Sequence, residues 1–293
     1  MRYQTDIALT AVAPLIWGST YYVTTEFLPV GYPITMAALR ALPAGLLLLV
    51  LSRQLPRGHW WGRIFILGAL NFTVFWTLLF VAAYRLPGGV AATVGAVQPL
   101  IVVFLSAFLL NTPVGLRSVG AALLGVIGVG CLVLGTAINL DTVGLIAGLG
   151  GALSMGAGTV LTRKWQPPVP LLTFTAWQLT AGGLLLVPLA LIFEPALPAL
   201  ETNSLLGIGY LSVIGAALTY ILWFRGLARI EPSAVSALGF LSPLSAVMIG
   251  WVMLGQNLTF VQIAGVCIVL LAVWLGQMGK RTGRSIVTIR KPA

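Results

Sequence analysis

Ten runs of about 20 apolar residues, parted by short breaks, constrain this chain more than any other feature of its sequence. They lie near 6–25, 33–52, 63–84, 88–110, 116–135, 142–161, 170–192, 204–226, 232–254 and 258–278. A helix rises about 1.5 Å per residue, so each run is long enough to cross the roughly 30 Å hydrocarbon of a bilayer. The spacing predicts an all-α polytopic membrane protein with ten transmembrane helices. The breaks carry loop chemistry, as in Pro29-Val30-Gly31-Tyr32-Pro33, Gln54-Leu55-Pro56-Arg57-Gly58, Pro87-Gly88-Gly89 and Gln166-Pro167-Pro168. Composition agrees: 59% of the 293 residues are hydrophobic and only 8% are charged, against about 25% charged in soluble domains. A soluble enzyme, a nucleic-acid binder and a secreted disulfide scaffold are all disfavoured. Cys131 and Cys267 fall inside apolar runs and read as small packing residues. The first run is too long for a signal-peptide core and reads as a retained span.

The net charge of +10 follows from topology. With ten spans and a cytoplasmic amino terminus, every Lys and Arg except Arg40 and Arg85 falls in or beside a cytoplasmic segment, among them Arg53, Arg57, Arg163, Lys164, Arg225 and Arg229. The positive-inside rule therefore predicts a multi-pass protein of the plasma (inner) membrane with both termini cytoplasmic. The basic tail, 280–293, is placed to meet anionic lipid, and no nucleic-acid partner is expected.

The two halves of the chain resemble each other. A shift of 144 superposes Phe80 on Phe224, Arg85 on Arg229, Gly95 on Gly239, Pro99-Leu100 on Pro243-Leu244 and Leu110 on Leu254. A shift of 137 superposes Pro33 on Pro170 and Ala44-Gly45 on Ala181-Gly182. The reading is two repeats of five spans, 1–137 and 138–279. Five is odd, so the second copy enters the membrane from the opposite side. Inverted-topology repeats are the construction from which alternating access follows.

These repeats, the prolines at 99 and 243, Trp17-Gly18-Ser19-Thr20, Leu39-Arg40, Trp177-Gln178 and the segment Trp223-Phe224-Arg225-Gly226-Leu227-Ala228 together resemble the drug/metabolite transporter superfamily. The likeness is to its EamA-type branch, and within that to the YddG-type exporters of aromatic and other amino acids. One departure is that many such proteins carry a Glu just after the fourth and ninth spans, where this chain has Asn111 and Gln256. The resemblance implies export of small amino acids or related metabolites. Other neutral or cationic metabolites or drugs remain as alternative substrates, and a non-transporting scaffold subunit as an alternative role.

An ionisable group within the bilayer is costly and so a functional suspect. Arg40 is the one clearly intramembrane charge, placed either to meet a substrate carboxylate or to satisfy carbonyls at a helix break. No Asp or Glu lies in the core of a predicted span, which disfavours a buried proton relay. What remains is aromatic, hydroxyl and amide chemistry: Trp17, Thr20 and Tyr21 in the first span, Asn71 and Phe75 in the third, and Gln98 in the fourth. Trp177 and Gln178 in the seventh span and Tyr220 and Trp223 in the eighth complete the set. Amides and hydroxyls can hydrogen-bond a zwitterion, while indole and phenol faces can hold an ammonium or an apolar group. Pro99 and Pro243, expected to bend their helices, are the hinge candidates. The single histidine, His59, lies in a loop, and no paired carboxylates, metal-ligand spacing or nucleotide loop occurs. No enzymatic activity, metal or cofactor is expected. The partner is a small-molecule substrate, and a homo-oligomer is compatible with the sequence.

Overall fold

The computed structural model describes residues 2–86, 93–133, 141–255 and 259–278, all helix and connection. In chain order the helices are α1 (Arg2–Phe27), α2 (Pro33–Ser52), α3 (Trp60–Gly68), α4 (Val74–Arg85), α5 (Gln98–Leu110), α6 (Leu116–Val133) and α7 (Thr142–Lys164). They continue as α8 (Leu171–Phe193), α9 (Thr202–Ser212), α10 (Thr219–Arg229), α11 (Pro232–Leu238), α12 (Leu241–Leu254) and α13 (Phe260–Gln277). Two π-helical turns, Ala69–Thr73 and Val213–Leu218, join α3 to α4 and α9 to α10. Among the described residues, nine helical stretches are long and apolar enough to cross a membrane, and Leu116–Leu132 is a shorter apolar helix. The polytopic helical class expected from the sequence is what the chain adopts. Large apolar side chains such as Phe108, Leu191 and Phe260 are about four-fifths exposed, an arrangement suited to lipid contact.

The repeat is written into the backbone. The π-helical turns begin 144 residues apart, at Ala69 and Val213. α4 and α10 end at Arg85 and Arg229, each followed by an extended residue, Leu86 (φ −113°) and Ile230 (φ −111°). α5 and α12 both stop at a left-handed residue, Asn111 (φ 53°) and Gly255 (φ 61°). Such a residue ends a helix by turning the last carbonyls outward, and Asn after Gly is the side chain that tolerates it best. Asn111 thus has a structural task of its own. Gln256, the tail 280–293 and the side chain of Tyr21 lie outside the described residues.

Packing shows that equivalent helices run antiparallel. α2 and α8 form the most extensive contact, with Gly45 against Thr180 and Gly183 against Leu42. A β-carbon on Gly183 would lie 2.7 Å from the Leu42 Cα, so only glycine admits this approach. α6 meets α13 in the same sense, Gly128 against Val269 and Gly265 against Leu132. Numbers rising on one helix fall on its mate, so the repeats are inverted. α1 packs on α10 and α12 of the second half, while α7 packs on α4 and α5 of the first. The α2–α8 pair is fastened at both ends. The Glu194 carboxylate accepts the backbone N–H groups of Ile34 (2.5 Å) and Thr35 (2.7 Å) at the start of α2, where an anion complements the helix dipole. At the other end Trp177 Nε1 donates to the Gln54 carbonyl (2.7 Å).

Pro99 and Pro243 do not kink the middle of a helix, as expected from sequence. Each sits in a first turn, in α5 and α12, where its missing N–H is not needed. The interruption comes before it. Val97 N–H bonds Val94 O (3.2 Å) and Gly239 N–H bonds Ser236 O (2.9 Å), one tight i→i+3 turn in each half.

Candidate functional site

A cavity of about 560 Å³ lies between the halves, walled by α1, α2, α4, α5, α7, α10 and the α11–α12 break. Pro29 to Pro33 of the α1–α2 connection line its mouth. Its lining is mostly aromatic and aliphatic, with Arg40 the charged side chain among the described lining residues and no carboxylate.

The floor is an aromatic stack. The Trp17 ring lies 5.1 Å from Tyr220 and 5.0 Å from Trp223, and Phe72 closes on Tyr220 at 4.7 Å. A hydrogen-bond chain fixes its pitch. Trp17 Nε1 donates to Thr219 Oγ1 (2.9 Å), which donates to Gly215 O (2.8 Å). Arg40 Nη2 donates to the same carbonyl (2.7 Å), and its guanidinium carbon stands 5.2 Å from the Trp76 ring centroid. Gly215 belongs to the second π-helical turn. The turn thus supplies the acceptor on which the Arg40 guanidinium is seated, and its planar face is held by an indole. Three buried polar atoms of lining residues have no protein partner: Thr20 Oγ1, Gln98 Nε2 and Trp223 Nε1. Together with the guanidinium they form a donor-rich, low-dielectric chamber that can receive carbonyl or carboxylate oxygens.

Of the residues singled out from sequence, Trp17, Thr20, Arg40, Phe75, Gln98, Tyr220 and Trp223 line this cavity, as do Pro99 and Pro243. Asn71, Trp177 and Gln178 do not. Trp177 packs with Ile64, Leu67 and Phe174 in a separate apolar cluster. Asn71 Nδ2 donates to Gln178 Oε1 (2.8 Å) and Thr162 Oγ1 (3.0 Å) in a fully buried node. An amide in hydrocarbon needs a partner, and these found one another. Four lining aromatics, Tyr32, Trp76, Phe80 and Phe240, are not among the candidates the sequence singles out. The 144-residue shift places Trp76 opposite Tyr220, a match that could have revealed Trp76.

Below the floor, side chains of the described residues pack closely. Phe224 packs on Tyr220 (5.6 Å) and Phe174 (6.4 Å) and is 1% exposed. Asp6 at the start of α1 meets Arg225 (2.6 Å) and Arg229 (3.2 Å) at the end of α10. Arg163, in the last turn of α7, donates to the carbonyls of Leu227 and Ala228. The cavity is therefore open at one end and locked at the other.

The sequence profile of the EamA-like transporter family matches twice, over residues 5–134 and 142–276. The chain belongs to the EamA-like transporter family. It is 45% identical over 267 residues to Protein PecM of Dickeya dadantii (strain 3937), covering 90% of each chain. It is 23% identical to a probable amino-acid metabolite efflux pump of Salmonella typhimurium, covering 96% of this chain and 97% of that one. A solved crystal structure shares the fold with a TM-score of 0.82 at 19% identity, over 94% of this chain and 97% of the other. The protein is thus a multi-pass membrane transporter of this family, and its single-ended cavity is the place to look for its ligand.

Proposed function

We propose that the chain is a secondary transporter that exports small amino acids or related metabolites by alternating access. The observation carrying this reading is a central cavity, between inverted repeats, that is open at one end and sealed at the other. In the mechanism, repeats 1–137 and 138–279 exchange conformations, so the sealed half opens as the open half closes. The tight turns ahead of Pro99 and Pro243 are the hinges. A carboxylate faces Arg40 and Gln98, while the faces of Trp17, Tyr220 and Trp223 take the ammonium or side chain. The absence of a carboxylate among the described lining residues disfavours organic cations as the main cargo. The similarity to a probable amino-acid metabolite efflux pump supports the amino-acid class. The cation distribution supports a topology in the plasma (inner) membrane with both termini in the cytoplasm, the mouth outside and the sealed end inside.

Counterflow in proteoliposomes tests the reading. Labelled amino acids from a panel should exchange against unlabelled amino acid inside the vesicles. Flux equal to that of protein-free vesicles for every member removes the amino-acid assignment.

A further inference from the structure

The Asn71–Gln178–Thr162 node is the internal counterpart of the Arg40 site. Arg40 lies seven residues into α2 from Pro33, and Gln178 is the neighbour of Trp177, the residue that the 137-residue shift pairs with Arg40 in α8. α2 and α8 run antiparallel, so the two side chains sit at similar depths from opposite faces. Each reaches the π-helical turn of the first or second half across the repeat interface. Arg40 bonds Gly215 O, and Gln178 bonds Asn71. Asn71 and Gly215 are themselves 144 residues apart, at the third position of their turns. One contact lines the open cavity; its mate is wholly buried, with Asn71 and Gln178 at 0% exposure and Thr162 at 1%.

The node is also incomplete. Asn71 Oδ1 and Gln178 Nε2 are buried with no partner, although a buried acceptor and a buried donor each lose about 1–3 kcal/mol when unsatisfied. α7 covers them with Gly158, where a β-carbon would fall on Asn71 Oδ1. A larger residue there would close the space beside the orphaned oxygen. Polar groups left unpaired in a resting state suit a surface that is wetted in another.

We propose that Asn71, Gln178 and Thr162 form the ligand-binding wall of the cavity that opens to the opposite face. This rests on the alternating-access reading above. The chemistry differs from that of the Arg40 side. A guanidinium only donates, so it serves a carboxylate, whereas paired amides and a hydroxyl both donate and accept. The wall fits a small zwitterion, its carboxylate on the Gln178 Nε2 N–H groups and its ammonium on Asn71 Oδ1. The ligand thus meets a neutral site on one face and a cationic one on the other.

Sided thiol labelling tests this in the full chain with Cys131 and Cys267 replaced by alanine. Thr162→Cys is nearly isosteric, and Asn71→Cys is a second probe should the first fail to reach the membrane. A water-soluble maleimide is applied at the face bearing Gln54 and Trp165. An alternate state populated at about 0.1–10% predicts complete labelling of Thr162→Cys, roughly 10- to 1,000-fold slower than Thr20→Cys labels from the mouth face. Ala13→Cys, 0% exposed and not among the residues lining the open cavity, should stay unlabelled. Labelling of Thr162→Cys and Asn71→Cys no faster than Ala13→Cys overturns the proposal. If both label but counterflow fails for every amino acid, the wall stands and the substrate assignment falls. If counterflow succeeds and neither labels, the wall alone falls.

Discussion

The two ends of this molecule are built from the same parts and closed to different degrees. At each end an arginine finishing the third span of one repeat faces an aspartate opening the first span of the other. At the sealed end Arg229, together with Arg225, holds Asp6, and the Asp6–Arg225 pair is 2.6 Å long with side chains 14% and 21% exposed. At the mouth Arg85, the equivalent of Arg229, meets Asp141 at 3.6 Å with side chains 50% and 39% exposed. Arg229 is itself 54% exposed, so the tightness comes from Arg225, whose short and largely covered contact with Asp6 is charge-assisted, whereas an exposed pair is worth about 0–1 kcal/mol. Conformation here can be biased by the tightness of one latch rather than by different chemistry at the two ends. Alternation would consist of tightening the loose pair while loosening the tight one.

The largest effect should come from breaking the tight latch. Asp6→Asn removes the charge from contacts of about 1.5–3 kcal/mol, so labelling of Thr162→Cys from the sealed face should accelerate by roughly tenfold or more. Unchanged labelling would mean that the pair does not hold this end shut. A smaller effect is expected within the open half. Trp17→Ala deletes two ring contacts worth about 0.5–1.5 kcal/mol each and the bond to Thr219. Half-saturation for counterflow should rise roughly two- to tenfold with insertion intact. Gln98→Ala should act in the same direction, and wild-type kinetics in both variants would detach these residues from the ligand. The smallest change belongs to Asp141→Asn. Its pair is exposed and long, so the same labelling rate should move by less than about fivefold. A shift as large as that of Asp6→Asn would erase the asymmetry between the ends.

Much of this architecture was legible in the sequence because membrane helices announce themselves by length and hydropathy. The 144-residue shift found from Arg85/Arg229 and Pro99/Pro243 also aligns features with no obvious sequence mark, the π-helical turns and the left-handed stops at Asn111 and Gly255. The site was harder to read. α8 is apolar on all sides, so periodicity does not say which face Trp177 and Gln178 present, and both turn to the sealed half. Asn71 is legible as an amide needing a partner, but its partners come from residues 91 and 107 positions away. Trp17 and Tyr220 were easier, since aromatic groups beside small polar ones at mid-span have few other places to go. The breaks ahead of the two prolines were misplaced because proline marks the start of a helix as readily as its bend.

The most direct test of reciprocal opening is a pair of distance measurements by electron spin resonance on the reconstituted full chain. One spin-label pair, at Val30 and Val143, spans the mouth, and the other, at Arg57 and Glu231, spans the sealed end. The account predicts that Asp6→Asn shortens the mouth distance and lengthens the other in the same sample. Distributions that stay fixed at both ends, or that widen together, would contradict it.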